Sequence, residues 1–440
     1  MRMQTLRRWL GYLAMFIVIA ASIIAWTMVP AVVLLACGAL LIAWMAVTRT
    51  GRQATAVTWV GLLTLPQRIG ASSVIVVGIA GVVGVLVALL ALAGGLRETL
   101  RGTGNSDTAI VLRGGATAEL DSGLSREDAT LILQAPGIAR DAAGSAIGSA
   151  EIVVVANVPK KSSGTDANVE IRGVGPQVFA LRPNLRIVAG RAFKPGLREL
   201  VVGQGARGQF VGLDLGATIN LNAQQWQIVG VFASGDAHDS ELVGDAETVA
   251  STYRRDGFQS VTVRLASPGS FDMFKAALAS DPRLKVDART TRDYYSAQSE
   301  QLSKVIRIVG IVIASIMAIG AVFGALNTMY AAITARAREV ATLRAIGFGA
   351  APVLVSVVLE AMLLALLGGV LGAAVAWFLF NDYAVSTLGA NFSQVVFRFD
   401  VSPKLLGTGV RWALAIGLIG GLLPAVRAAR LPVTAALRES

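Results

Sequence analysis

Long apolar runs set the pattern of this 440-residue chain. The run from Trp9 to Val47 holds no charged residue and is too long for one membrane crossing, which takes about 20 residues. Because Pro30 lies near its middle, this run is predicted to form a helical hairpin of two spans. One further span is predicted in each of four runs, which are Ile69–Leu96, Ile308–Ala335, Pro352–Phe380 and Leu405–Val426.

Composition agrees with a membrane protein of six spans. The chain is 54% hydrophobic and 15% charged, whereas charged residues make up about a quarter of an ordinary soluble protein. The formal charge of +11 comes from basic residues that gather at the ends of the apolar runs. That placement favours charges that set membrane topology and argues against a nucleic-acid partner. Cys37 is the single cysteine, so no disulfide within the chain is possible.

Arginine clusters predict the orientation of the spans, since basic residues stay on the cytoplasmic side. The clusters fall before span one, between spans two and three, between spans four and five, and after span six; they include Arg2, Arg7, Arg8, Arg49, Arg52, Arg68, Arg336, Arg338, Arg344, Arg427, Arg430 and Arg438. Both termini are therefore expected in the cytoplasm, and residues 97–303 outside it. A cleaved signal peptide over residues 1–30 is disfavoured, because that apolar stretch continues into a second one.

The long segment between spans three and four has a soluble composition and mixed patterns. Short runs rich in β-branched residues predict strands at Glu151–Val158, Val169–Val174, Leu200–Val202, Thr218–Leu221, Trp226–Phe232 and Val261–Leu265. Ser125 with Asp128 forms a capping-box pattern, and Ser270 is predicted to cap a second helix. The fold class expected for the chain is thus an α-helical polytopic membrane protein with a mixed α+β extracytoplasmic domain.

A capping box at Thr290 and Asp293 opens a segment that holds no proline up to Ala335. One helix is therefore predicted to run from outside the membrane through span four, as a rod of about 60 Å. The alternative is a helix that breaks at the membrane surface.

Few residues outside the spans suggest chemistry. His238 is the only histidine and lies among several carboxylates, which could ligate a metal or relay protons. No metal-ligand spacing is present, so a solvated acidic loop is the favoured interpretation. The glycine-rich Gly203–Gly208 segment only loosely matches a dinucleotide fingerprint, and a turn is favoured. No catalytic, cofactor-binding or metal site is expected.

Two further observations concern energy sources. No lysine follows a glycine anywhere in the sequence, so the phosphate-binding loop that ends in Gly-Lys is absent, and ATP hydrolysis is expected from a partner. Glu360 is the one carboxylate well inside a predicted span. A proton relay would need a second such group, so a structural pairing within the helix bundle is the favoured role.

Between spans four and five, residues 334–352 read TARAREVATLRAIGFGAAP. Val340, Leu343 and Ile346 recur at helical spacing, and Gly347 can end the helix. A short amphipathic helix is predicted, which either rests on lipid or docks a cytoplasmic protein.

The segments Asn327–Gly372 and Gly420–Ser440 closely resemble permease subunits of ABC transporters of the FtsX/MacB type. Pro66–Gly95 resembles the first span of that family, and the stretch ELVVGQGARGQFVGLDLGATINLNAQQWQIVGVFASG resembles its periplasmic domain. The family has four spans, so the hairpin over residues 1–50 is an addition. Unlike MacB, the sequence shows no ATPase domain fused to the permease.

The resemblance implies a four-span FtsX-like core in a bacterial inner membrane with a MacB-like periplasmic domain. It implies a homodimer or a heterodimer with a paralogous permease, a separate cytoplasmic ATP-binding subunit, and a periplasmic adaptor or hydrolase as a further partner beside membrane lipid. The helix that docks on the ATPase in the family corresponds here to residues 335–349, and its carried-over residues are Arg336, Arg338, Glu339, Leu343, Arg344 and Gly347.

The expected organisation follows. It comprises a hairpin (1–50), a linker with the first core span (51–96), the periplasmic domain (97–303), the second core span with its stalk (304–334), the coupling helix (335–349), the third core span (350–381), a short periplasmic loop (382–404) and the fourth core span with the tail (405–440). The function expected is a permease of the mechanotransmission type, which exports or extracts a substrate. The alternatives are an FtsX-like regulator of a cell-wall hydrolase and a receptor or scaffold that transports nothing.

Overall fold

The computed structural model describes residues 28–389 and 391–430, together with residues 18, 21–23 and 25–26. Most of the first arm of the predicted N-terminal hairpin, with Arg2, Arg7 and Arg8, therefore lies outside the described residues, as does Arg438.

The helices are α1 (Ala31–Val47), α2 (Arg49–Leu63), α3 (Ile69–Thr103), α4 (Arg126–Gln134), α5 (Val178–Leu181), α6 (Gln204–Gln209), α7 (Ala246–Tyr253), α8 (Phe271–Ser280), α9 (Thr291–Ala335), α10 (Ala337–Ala345), α11 (Ala350–Phe380) and α12 (Pro403–Ala429). The strands are β1 (Thr108–Arg113), β2 (Gly148–Pro159), β3 (Asp166–Val174), β4 (Arg186–Gly190), β5 (Glu199–Gly203), β6 (Thr218–Leu221), β7 (Gln224–Ala233), β8 (Glu241–Asp245), β9 (Ser260–Arg264), β10 (Val286–Thr290), β11 (Ala384–Leu388) and β12 (Gln394–Arg398).

The chain divides into two compact units. The helical unit comprises residues 1–92, 305–382 and 400–440, and the mixed unit comprises residues 93–304 and 383–399. Four helices of the described residues are long and apolar enough to cross a membrane, namely α3, α9, α11 and α12. The helices α1 and α2 form a pair bent by 100°, which could count as a fifth span. The six-span prediction is therefore not confirmed.

The helical unit packs through small residues. Gly417 and Gly421 of α12 face Ala365 and Ala361 of α11 so closely that a β-carbon at either glycine would overlap the facing methyl group. In a membrane, where lipid gives helices no hydrophobic reason to associate, such close backbone approach supplies the van der Waals contact that holds them together.

The mixed unit is built on a ten-stranded sheet of order β10-β1-β9-β2-β3-β8-β5-β7-β4, with β6 beside β7. The pairs β3·β8 and β5·β7 are parallel and the others are antiparallel. Successive residues of β5 enter different cores, since Leu200 packs in one apolar cluster and Val201 in another. Both faces of the sheet are therefore covered around β5 and β8. Trp226 and Phe274 are among the largest fully buried side chains.

Every predicted strand segment is confirmed, since each overlaps a strand of the sheet. The capping box of Ser125 and Asp128 is present at α4. At the start of α9, the Thr290 hydroxyl donates to the Asp293 carboxylate at 2.7 Å and accepts from the Asp293 N–H at 3.1 Å. The predicted continuous helix is also confirmed, because α9 runs unbroken for 45 residues. Ser270 precedes α8 but makes no capping bond; its hydroxyl pairs with that of Ser267 instead, at 2.9 Å.

Two predictions for the mixed unit are wrong. The expected solvated acidic loop around His238 is buried: His238 is 4% exposed, and the chain continues directly into β8, whose five residues are all buried. The Asp236 carboxylate there accepts a hydrogen bond from the Ser234 hydroxyl at 2.6 Å and lies 3.0 Å from Nδ1 of His238, which offsets the cost of burying it. The glycine-rich Gly203–Gly208 segment is not a turn but mostly the short helix α6.

The segment between α11 and α12 is a structured element rather than a plain loop. The strands β11 and β12 pair as an antiparallel hairpin, and residues 383–399 belong to the mixed unit. Lys160 donates to the Gln394 side chain at 3.0 Å, and the backbone N–H of Val396 donates to the Ser240 hydroxyl at 2.8 Å. This hairpin is therefore fastened to strands that lie far away in sequence.

Candidate functional site

The segment predicted to dock a partner contains a short helix with defined ends. Arg336 alone separates α9 from α10, and its backbone leaves the helical region with φ −104° and ψ 9°. Gly347 ends the segment at φ 103°, a conformation that favours glycine. Phe348 N–H then donates to the Leu343 carbonyl at 3.0 Å, which satisfies one of the last helical acceptors. Gly349 precedes the next helix, α11.

Arg336 ties this segment to the helix that follows it. Its Nη1 lies 3.3 Å from Oε2 of Glu360, and its Nε lies 3.0 Å from Oε2 of Glu339. The side chains of Arg336 and Glu360 are 15% and 7% exposed. Glu360 thus lies beside a cation, Arg336, from the segment predicted to dock a partner, and its structural role stays a prediction.

A glycine of α2 makes room for this ion pair. A β-carbon at Gly61 would lie 3.4 Å from Oε2 of Glu360 and 3.5 Å from Nη1 of Arg336. Any side chain larger than a methyl group would therefore push into the pair. The sequence predicted a linker over this part of the chain and no role for Gly61, because a lone glycine in a helix carries no signal for the partner that approaches it.

An apolar groove lies beside the ion pair, within the helical unit. The groove has a volume of about 340 Å³. Its lining comes from three helices and the residue that joins α9 to α10: Val57, Val60, Arg336, Glu339, Val340, Thr342, Leu343, Val353, Ser356 and Val357. Leu343 thus faces the groove, as expected of the apolar side of an amphipathic helix.

The remaining predicted residues lie on the outer surface of the segment. Arg338 and Glu339 are exposed, and Arg344 is half-buried. Ile346 is 68% exposed although it is apolar. The segment therefore presents charged and apolar groups side by side, which fits either of its predicted roles, contact with lipid or with a cytoplasmic protein.

The mixed unit contains a buried charge cluster that sequence analysis missed. Arg172 of β3 is 2% exposed. Its guanidinium donates to four carboxylates at 2.6 to 3.0 Å, which are Glu119, Glu151, Glu170 and Glu241. Arg182 adds a second cation, 2.8 Å from Glu151. A buried arginine keeps its charge, so these acceptors are what makes its burial possible.

Carboxylates outnumber guanidinium groups in this cluster, and their pKa values separate as a result. Burial alone would raise the pKa of Glu151, but Arg182 and Arg172 outweigh it and lower that pKa to about 2. Burial and the charge of Glu241 raise the pKa of Glu170 to about 7. Glu170 is thus able to bind a proton near neutral pH, whereas Glu151 stays ionised.

Glu170 also holds the hairpin. Its Oε2 accepts from Asn391 Nδ2 at 3.1 Å and from the Ser393 hydroxyl at 3.0 Å. Phe392, between these two anchors, has φ 53°, and its carbonyl accepts from Asn168 at 2.8 Å. The bonds on both sides stabilise a backbone conformation that a phenylalanine rarely adopts.

No group of three or more metal-ligating side chains comes together within the described part of the chain. The carboxylates of the cluster are instead occupied by arginine.

Comparison with known proteins identifies both halves of the chain. The family described as MacB-like periplasmic core domain matches residues 72–281, and the FtsX-like permease C-terminal family matches residues 311–433.

Individual relatives agree with these domain matches. The macrolide export ATP-binding/permease protein MacB of Hahella chejuensis is 26% identical over 62% of this chain and 43% of its own length. The uncharacterized ABC transporter permease YknZ of Bacillus subtilis is 26% identical over 51% of this chain and 57% of its own length. The chain thus spans about half the length of the curated relatives it matches.

A solved structure, the periplasmic region of MacB from Actinobacillus actinomycetemcomitans, is similar over 48% of this chain and 97% of that one, at 18% identity and a TM-score of 0.33.

The apolar helices and the two matched domains define a membrane permease of the ABC transporter class. The chain carries the MacB-like periplasmic core and FtsX-like C-terminal domains that the resemblance of its sequence segments to FtsX/MacB-type permeases predicted.

Replacing Arg336 with Met is expected to lower the apparent Tm of the purified chain. Glu360 would then lose the cation that donates to it, and breaking a buried ion pair costs about 3–5 kcal/mol. Arg338→Met, at an exposed position two residues away, is the matched control and is expected to change Tm little. The double variant Arg336→Met/Glu360→Gln is expected to recover most of the loss. Equal losses in Arg336→Met and Arg338→Met would contradict the pairing.

Glu170 is expected to make the mixed unit less stable as pH rises. Its pKa is raised from an unfolded value of 4.5 to about 7, so the folded state binds more protons than the unfolded state between those pH values. Its contribution to stability is therefore lost as pH rises from about 4.5 to about 7, on the order of 3 kcal/mol in all.

Glu170→Gln, which mimics the protonated form, isolates this effect. The Tm of the variant minus that of the wild type is expected to grow as pH rises from 5 to 8. Asp166→Asn removes an exposed carboxylate on the same strand and is expected to show no such trend. A Tm difference independent of pH in Glu170→Gln would refute the raised pKa.

Proposed function

We propose that this chain is the transmembrane permease subunit of an ABC transporter of the mechanotransmission type. A cytoplasmic ATP-binding subunit would hydrolyse ATP, and the chain would convert its movement into movement of the periplasmic domain, for export or extraction of a substrate. The chain lies in the bacterial inner membrane with both termini in the cytoplasm, as the arginine clusters predict.

The docking surface for the ATP-binding subunit is the outer face of α10, with Arg338, Glu339 and Arg344 at its rim and Ile346 at its end. The exposure of Arg338, Glu339 and Ile346 supports the assignment. The groove beside Leu343 adds an apolar depression of the kind that receives an anchoring side chain at a protein interface.

The joint between α9 and α10 is the observation that carries the proposal. A single residue, Arg336, links the docking helix to a 45-residue helix that begins in the mixed unit. A force on α10 is therefore delivered to one end of a continuous rod. The hairpin between α11 and α12 offers a second route, because it belongs to the mixed unit while its flanking helices belong to the helical unit.

Further partners follow from the same mechanism. The chain pairs with a second copy of itself or with a paralogous permease, as the resemblance of its sequence to FtsX/MacB-type permeases implies. A periplasmic adaptor or hydrolase receives the movement of the mixed unit.

A pull-down of the tagged chain from its native membrane in mild detergent tests the docking surface. A near-stoichiometric ATP-binding subunit is expected to co-purify, and Arg338→Glu is expected to reduce its recovery at least fivefold, because the glutamate would repel the partner group that complements the arginine. Arg52→Glu, at an exposed position on α2, is the matched control and is expected to leave recovery unchanged. Equal recovery with both variants would remove the docking role, and absence of any ATP-binding subunit would favour a receptor or scaffold.

Gln301→Pro tests transmission through α9. Gln301 is exposed within the helix, and proline in a helix interior costs about 3 kcal/mol and kinks the rod. In the assembled complex, hydrogen exchange of residues 93–304 is expected to change on addition of ATP in the wild type and in Gln301→Ala. The proline variant is expected to keep ATPase binding and lose that change. An unaltered response in the proline variant would argue against a rigid rod.

A further inference from the structure

The helix α2 leaves α1 at a sharp bend that residues at the junction build. The two helices are bent by 100°. The Thr48 hydroxyl accepts from the Gly51 N–H at 2.9 Å and caps the first turn of α2. A β-carbon at Gly51 would overlap the carbonyl of Trp44 in α1, so any larger residue would force the bend open. The bend is therefore specified by the sequence.

The bend places α2 near the plane of the membrane. α1 is apolar along its 17 residues, and apolar helices cross a membrane at an average tilt of about 20°. A helix bent by 100° from α1 thus runs roughly parallel to the membrane surface. Arg49, Arg52 and Gln53 lie at the start of α2, and such side chains are costly in hydrocarbon. The helix α2 therefore lies at the membrane surface rather than within the hydrocarbon core.

One face of α2 is buried within the helical unit. The buried residues recur at helical spacing and are Gly51, Ala54, Val57 and Gly61. Val57 lines the groove that Val353 and Val357 of α11 also line. This face is therefore occupied by packing against α11, and the opposite face is the one open to a partner.

The opposite face of α2 carries an exposed stripe, which consists of Arg52, Ala56, Trp59 and Leu63. Spacings of four, three and four residues put these side chains on one side of the helix. Trp59 is 65% exposed and Leu63 is 62% exposed. Tryptophan is typical of the membrane–water interface. Basic and apolar side chains on one helix are likewise typical of helices that lie in that interface.

The charge of α2 favours an anionic partner. Arg49, three residues before Arg52, is exposed as well. The sequence holds no aspartate or glutamate before Glu98, so these arginines have no acidic neighbour in the first part of the chain. Anionic phospholipids supply the complementary charge and attract each basic residue at the surface about fivefold. An arginine side chain can reach their phosphate groups while its apolar stem stays among hydrocarbon.

We propose that α2 is an interfacial helix that binds anionic phospholipid. Arg49 and Arg52 contact the phosphate groups, and Trp59 and Leu63 lie among the upper parts of the acyl chains. A lipid surface fits this face better than a protein does, because it offers phosphate to the arginines and hydrocarbon to the apolar side chains together. The binding involves no ATP-binding subunit and goes beyond the proposed function.

Energy transfer from a label on the exposed stripe tests the proposal. Cys37→Ser removes the single cysteine, and Ala56→Cys then places a donor fluorophore on the stripe. The purified full chain is placed in nanodiscs of phosphatidylcholine mixed with phosphatidylglycerol. A trace of either lipid carries an acceptor on its acyl chain. Transfer to phosphatidylglycerol is expected to exceed transfer to phosphatidylcholine at least about twofold, and the difference is expected to vanish at high salt. Because no ATP-binding subunit is present, failure here would leave the docking role of α10 untouched.

Two variants of the labelled chain assign the lipid preference to α2. Arg49→Gln/Arg52→Gln changes only exposed side chains and is expected to make transfer to the two lipids equal. Arg430→Gln, at an exposed arginine that ends α12, is the matched control and is expected to keep the preference.

Three results would overturn the proposal. The first is equal transfer to both lipids in the labelled parent chain. The second is low transfer to both lipids, which is expected if a second copy of the chain covers the exposed stripe. The third is a preference for phosphatidylglycerol that survives in Arg49→Gln/Arg52→Gln, since the anionic lipid would then be held by other residues.

Discussion

A guanidinium group keeps its charge at every ordinary pH, so the burial of Arg172 obliges the mixed unit to bring acceptors to it from all sides. The carboxylates come from the turn at Glu119, from β2, from β3 itself and from the residue that opens β8. Elements far apart in sequence thus converge on one point. Glu170 of this cluster also accepts hydrogen bonds from Asn391 and Ser393. The position of the hairpin between α11 and α12 therefore depends on the charge state of the cluster.

The helical unit uses an arginine in a related way. Arg336 lies where α9 gives way to α10, and its side chain bonds to Glu360 on α11. The angle between α9 and α10 is therefore held by this ion pair as well as by the backbone at Arg336. Gly61 keeps the space for that pair open. In both units a charge that is expensive to bury lies at a junction between elements, where its bonds define geometry that apolar packing alone leaves adjustable.

Much of the fold could be predicted from the sequence, because periodicity and capping are local. The spans after residue 69, six strands and the start of α9 all follow from neighbouring residues. The features that the sequence did not predict depend on residues whose partners are distant along the chain. β8 was missed since Glu241 and Asp245 look solvated until Arg172 and the helix cap are known. Glu170 and Arg172 alternate with apolar residues, which is typical of an exposed strand face, and only the register with β2 and β8 brings the carboxylates together. For the docking segment, the amphipathic pattern was sufficient to locate α10, whereas Gly61 could not be found from sequence.

The hairpin makes the mixed unit discontinuous along the chain, with about 80 residues between its last main residue and the hairpin. A ribosome adds about 5–20 residues per second, so residues 93–304 exist for several seconds before the hairpin has been made. During that interval the Oε2 of Glu170 has neither Asn391 nor Ser393 to bond. The mixed unit reaches its final form only after α11 has been synthesised. Its folding outside the membrane is therefore completed later than one step of membrane insertion.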